Sequence, residues 1–169
     1  MKTVKLIIED KEIEVQISDE QFAELTKPKK VTGFERAKHN EKLYYTVSSN
    51  GTVGNPSDTT ISDEQRYKIA NYYTSKELAE WCCRSDNLNR QMRRWAAEHN
   101  IYPLDWYDSG AICCHIMYDS KNRSLVVHHS AYGHFPEAVY FSTEEVAEQA
   151  IEEFGDEIKW LAENRPKWF

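Results

Sequence analysis

The sequence predicts an α+β fold in which antiparallel β-hairpins each lead into a capped helix. Three observations predict it. Alternating apolar and polar residues, the period of a half-buried strand, come in pairs around short polar turns. Hydroxyl residues with Glu or Gln three positions later mark helix starts directly after those runs. Aromatic residues make up 12% of the 169 positions. That is more apolar surface than a disordered chain carries.

Residues 3–8 and 12–17 read as a hairpin, because Ile13, Val15 and Ile17 alternate with Glu12, Glu14 and Gln16. Ser18 then caps a helix with Gln21 as its partner. Phe22 and Leu25 hold helical spacing, and Pro28 with Lys29 and Lys30 ends the helix. Residues 1–31 are expected to form a small N-terminal unit, and residues 32–169 the main α+β body.

Within the body, residues 42–47 form a tyrosine-rich strand. Asn50-Gly51 is a strong hairpin signal. Residues 54–62 are turn-rich and expected to be exposed, and residues 66–73 read as strand or extended. Thr74, with Glu77, opens a helix to about Cys83. A separate helix over 87–99 carries Leu88, Met92 and Trp95 at i, i+4 and i+7, and Asn100 and Pro103 stop it. Residues 111–118 and 124–129 are strands around a turn at 119–122, with a third strand at 138–141. Ser142, with Glu145, begins a helix running through Phe154. Gly155 breaks it, and residues 156–164 form a last helix.

Residues 72–80 and 140–148 match position by position at an offset of 68, with Lys76 against Glu144 as the one dissimilar pair. Each junction has two aromatics, a capping hydroxyl and a Glu. This is either an internal duplication, with related halves at 32–100 and 101–169, or the common grammar of strand-to-helix junctions.

Charge and cysteine content narrow the function classes. The net charge is −7. Residues 101–169 hold 5 basic and 12 acidic groups, so the whole imbalance lies there. A uniformly basic nucleic-acid binder is excluded, while a local basic face is not. Neither a membrane-length apolar run nor a secretory signal is evident, so a cytoplasmic protein is expected. The four cysteines form two adjacent pairs, Cys82-Cys83 and Cys113-Cys114. They are expected to be reduced and largely buried.

Two charged helices are the leading candidate surfaces. Glu144, Glu145, Glu148, Glu152, Glu153 and Asp156 crowd the C-terminal helix, where a rigid row of carboxylates imitates a phosphate backbone or docks on a basic protein patch. Arg90, Arg93 and Arg94 lie together on another helix. Arg suits phosphate through its planar fork of donors, and Trp95, Trp81 and Tyr107 are candidates for base stacking. The plain alternative in each case is a solvated helix face.

Other chemistry is less well supported. Adjacent cysteines on a strand point to opposite faces, so Cys113 or His115 with His128 or His129 across a hairpin is the one arrangement that offers metal ligands. No metal or other cofactor is expected. Nucleophile elbow, P-loop and zinc-helix motifs are missing from the sequence.

Residues 32–36 (Thr-Gly-Phe-Glu-Arg), Tyr44-Tyr45-Thr46-Val47 with Asn50-Gly51, residues 66–77, Trp106, and Val139-Tyr140-Phe141-Ser142-Thr143-Glu144-Glu145 occur in that order. As a set they resemble a group of uncharacterised accessory proteins carried by phages, plasmids and other mobile elements of Gram-positive bacteria. The resemblance spans most of residues 32–160. It implies a small accessory protein, and some such accessories block host defences, including CRISPR nucleases. The leading expectation is a non-catalytic protein that binds a nucleic-acid-handling host defence protein through the acidic helix. The alternatives are direct nucleic-acid binding through the arginine-rich helix and, third, a small enzyme such as a nuclease.

Overall fold

The computed structural model describes residues 1–8, 11–27, 31–36, 44–56, 61–104, 112–130, 135 and 137–167. The chain divides into two compact units, Met1–Thr32 and Gly33–Phe169. The fold is α+β, with four helices and three two-stranded antiparallel sheets among the described residues.

In the first unit, β1 (Lys2–Ile8) pairs with β2 (Lys11–Ile17), Val4 opposite Val15. Helix α1 (Asp19–Thr26) comes directly after. Ser18 caps it in extended backbone. Its Oγ accepts the Gln21 N–H at 3.1 Å, and Gln21 Oε1 accepts the Ser18 N–H at 3.0 Å. This reciprocal box satisfies two helix-start donors. The expected stop at Pro28, Lys29 and Lys30 lies outside the described residues.

The second unit opens with β3 (Thr46–Val47) and β4 (Val53–Gly54). Gly51 takes φ +78° in their turn, a conformation that costs a Cβ-bearing residue. A Cβ there would also come within 2.9 Å of the Asn87 amide. Helix α2 (Ile61–Lys68) comes next. This corrects the expectation of strand or extended chain over residues 66–73. Arg66 and Lys68 belong to a helix whose acidic first turn and basic last turn match its dipole. The helix stops at Ala70 in left-handed backbone, φ +56°. The Ala70 N–H bonds Tyr67 O and the Asn71 N–H bonds Arg66 O, a Schellman stop.

Helix α3 (Lys76–His99) is one continuous helix of 24 residues, not two. Arg84, Ser85 and Asp86 sit inside it, because burying Leu78, Cys83, Leu88, Met92 and Ala96 holds the whole length. Its cap is Ser75 rather than Thr74: Ser75 Oγ accepts the Leu78 N–H at 3.2 Å and donates to Glu77 at 2.7 Å.

Strands β5 (Cys113–Asp119) and β6 (Ser124–Ser130) pair with Cys114 opposite His129. Residues 138–141 do not form a full strand; Phe141 alone bridges Cys114. Helix α4 (Glu144–Glu163) is likewise continuous, capped by Thr143 rather than Ser142. Gly155 does not break it. The residue is buried inside the helix, where β6 comes close enough that a Cβ would lie 3.3 Å from Leu125 Cδ1.

The two junctions at offset 68 share their geometry. Tyr73 bridges Tyr45, and Phe141 bridges Cys114, each through a reciprocal pair of backbone hydrogen bonds. Two residues later come the caps, Ser75 and Thr143.

Helix α4 packs on α3, β5 and β6. The main core joins Leu88, Met92 and Ala96 of α3 to Cys114, Val139 and Phe141, and to Val146, Ala147, Ala150 and Leu161 of α4. A smaller cluster of Tyr73, Leu78 and Ala79 packs with Phe34, Tyr45, Val47 and Val53. Among the described residues no helix is long and apolar enough to cross a membrane.

Candidate functional site

Helix α4 holds eight acidic residues and one basic residue, Lys159, over 20 positions. Val146, Ala147, Ala150 and Leu161 fix which face turns inward. At about 100° per residue, Glu145, Glu148, Glu152 and Asp156 then fall on the opposite side. Glu144, Glu145, Glu148, Glu152, Glu153 and Asp156 are all exposed. At the first turn the Glu145 carboxyl is held below its ordinary range by backbone N–H at the helix start and by the Thr143 hydroxyl.

The carboxylates divide into two sets. Glu157 takes a two-pronged grip from Arg84, with Nε at 2.7 Å, while the Arg84 guanidinium lies 3.4 Å from the Trp160 ring centroid. Glu163 accepts from Arg123 at 2.9 Å and from the Tyr118 hydroxyl at 3.0 Å. Glu144 faces His129 Nε2 at 3.4 Å. Among the described residues, Glu145, Glu148, Glu152, Glu153 and Asp156 have no basic partner within 4 Å. The unpartnered set therefore spans about three turns of the exposed face, from Glu145 to Asp156.

The arginines of α3 lie on a different surface. Leu88, Met92 and Ala96 turn inward, and Arg90, Arg93 and Arg94 are exposed. Arg90 donates to Asn87 Oδ1 at 2.6 Å. None of the three meets a carboxylate within 4 Å among the described residues. Trp95 is positioned differently. Its ring meets Phe141 and Phe154 edge-on, and His99 stacks on it at 3.9 Å, so Trp95 packs inside the fold. Trp81 also turns inward, donating from Nε1 to Leu161 O at 3.0 Å. Tyr107 lies outside the described residues.

The register brings together a row the sequence only partly marked. Cys114 Sγ lies 3.4 Å from His129 Nδ1, and the far nitrogen of that ring faces Glu144. The thiol is 2% exposed, and burial, then the charges of Glu144 and Glu145, push its pKa up. It stays protonated at neutral pH, the opposite of a primed nucleophile. On the other face of the hairpin His115 is buried beside His128 and Tyr140. Burial and then His128 lower its pKa. Among the described residues no three His, Cys, Asp or Glu side chains gather as a metal site.

A buried polar node carries no mark in the sequence. Asp63, 1% exposed, accepts from the fully buried Tyr44 hydroxyl and from Arg66 at 2.9 Å. The Tyr44 ring stacks on Tyr72 at 3.9 Å. Burial, then the Asp63 bond, raises the Tyr44 pKa. Asp63 is an acidic residue in a polar stretch, so no apolar period marks it. Its role is to tie α2 to the chain ahead of β3.

Comparison with protein-family models, curated proteins and solved structures found no match.

Proposed function

We propose that this chain is a non-catalytic binding protein whose α4 offers a row of carboxylates to a basic surface on a protein partner. One observation carries the reading: Glu145, Glu148, Glu152 and Asp156 share the outward face of a helix whose inward face is locked into the core, and they lack basic partners among the described residues. From Glu145 to Asp156 the helix rises about 16 Å. Four charges over that length give roughly one per 5 Å, of the same order as the 3.4 Å per charge along one nucleic-acid strand. A groove built to hold a phosphate backbone is a fitting partner, and charge steering would speed its approach. The sequence resemblance to accessory proteins of mobile elements supports a host defence protein, such as a CRISPR nuclease, as the owner of that groove.

The test reverses Glu145, Glu148 and Glu152 to Lys together. Tagged wild type and variant are exposed to the cytoplasm of a Gram-positive host, with Arg123→Glu as a surface control. The reading expects a captured nucleic-acid-binding protein with wild type and control, lost with the triple variant. Equal capture by all three, or none by wild type, overturns it.

A further inference from the structure

The arginine-bearing face of α3 borders an open cleft of about 870 Å³ in the second unit. Cys82, Asp86 and Arg90, at i, i+4 and i+8, with Arg93, line one side of it. Arg165, just beyond the end of α4, comes in from a distant part of the chain. The apolar wall includes Phe34 and Tyr73, whose ring centroids are 5.2 Å apart.

We propose that this cleft binds a nucleoside phosphate, either free or as the end of a single strand. The volume falls in the range of small-molecule sites, roughly 300–1,000 Å³. Arg90, Arg93 and Arg165 are exposed and have no carboxylate within 4 Å among the described residues; Arg90 gives one guanidinium nitrogen to Asn87, and the planar fork of an arginine suits a phosphate. The aromatic wall suits a planar base. Two carboxylates, Asp86 and Glu137, also line the cleft. They accept hydrogen bonds from the amino groups of a base or the hydroxyls of a sugar. Three guanidiniums against two carboxylates leave a net +1. That balance offers charge for one phosphate group rather than for a long track of them. The site is separate from the acidic face of α4 and does not depend on it.

The test titrates the full chain with a fluorescent mononucleoside phosphate and with single strands of one and two dozen nucleotides, each with and without a 5′-phosphate. Arg93→Glu and Arg165→Glu are compared with Arg123→Glu and Lys121→Glu, which lie outside the cleft lining. Circular dichroism checks that each variant is folded. The expected result is saturable binding of the mononucleotide, weakened tenfold or more by each cleft variant and unchanged in the two controls. Binding of the mononucleotide alone identifies a free nucleotide as the ligand; added binding of 5′-phosphorylated strands, at an affinity independent of length, identifies a strand end. Absence of mononucleotide binding overturns the proposal, as does equal binding by the cleft variants. An affinity that climbs with strand length, without preference for the 5′-phosphate, overturns it in favour of a phosphate-tracking surface.

Discussion

Ala70 ends α2 with φ +56°, a backbone conformation that costs a residue with a Cβ about 1 kcal/mol or more. Glycine would take it without that cost, less the extra freedom it gives the unfolded chain. Ala70→Gly is therefore expected to raise stability by about 0.5 kcal/mol, read as a higher urea midpoint with unchanged slope. His115 acts in the opposite sense at acid pH. Its folded pKa is below the usual 6.5, so between that lowered value and about 6.5 the unfolded chain takes up a proton that the folded chain does not. Stability is fully present above about pH 6.5 and falls as pH drops through that window. Urea midpoints at pH 7.5 and 5.5 should show a loss on acidification that His115→Phe reduces. The sequence marks His115 only as a candidate metal ligand, and it does not mark Ala70 at all. Ala is an ordinary helix former, and its left-handed turn is imposed by its neighbour Asn71. That side chain must lie where it bonds both the N–H and the C=O of Val47, at 2.7 and 2.8 Å.

Local signals place α1, miss α2, and put a false break in each of α3 and α4. The Ser18–Gln21 box, the Asn50-Gly51 turn and both long hairpins can be read directly, because each rests on neighbours in sequence. The caps of α3 and α4 fall one residue later than expected, at Ser75 and Thr143. Adjacent hydroxyls make either position a candidate, and the long-range bridges at Tyr73 and Phe141 decide between them. Ser75→Ala should cost about 1 kcal/mol. Thr74→Ala, at an exposed hydroxyl bonded to Glu35, should stay within about 0.5 kcal/mol. Gly155 reads as a breaker because a glycine inside a helix costs about 1 kcal/mol against alanine, and composition does not show that β6 crosses there. Gly155→Ala trades that gain against a Cβ placed 3.3 Å from Leu125 Cδ1 and 3.4 Å from Ile151 Cγ2. The net change should stay within about 1 kcal/mol, whereas Gly155→Val should destabilise by roughly 1–3 kcal/mol through overpacking. Thermal or urea unfolding of the two variants checks that Gly155→Val loses more stability than Gly155→Ala.

For the second unit as a whole, charge is sorted by surface. Arg84 and Arg123 are engaged by Glu157 and Glu163. The remaining carboxylates of α4 and the arginines of α3 each point to solvent. This sorting is visible in the sequence, since the −7 is concentrated in the last 69 residues. Which charges are neutralised internally is not: Arg84 and Glu157 are 73 residues apart and meet only because α3 and α4 pack together. The cleft is equally hidden, because its lining comes from segments as distant as Phe34 and Arg165. The acidic row is tested most directly by competition. The host protein captured by wild type is purified, loaded with labelled nucleic acid, and titrated with wild type or with the variant carrying Lys at 145, 148 and 152. Wild type is expected to displace the nucleic acid in a saturable, salt-sensitive manner, with the variant at least tenfold weaker. Equal displacement by the variant, or none by wild type, would contradict the account.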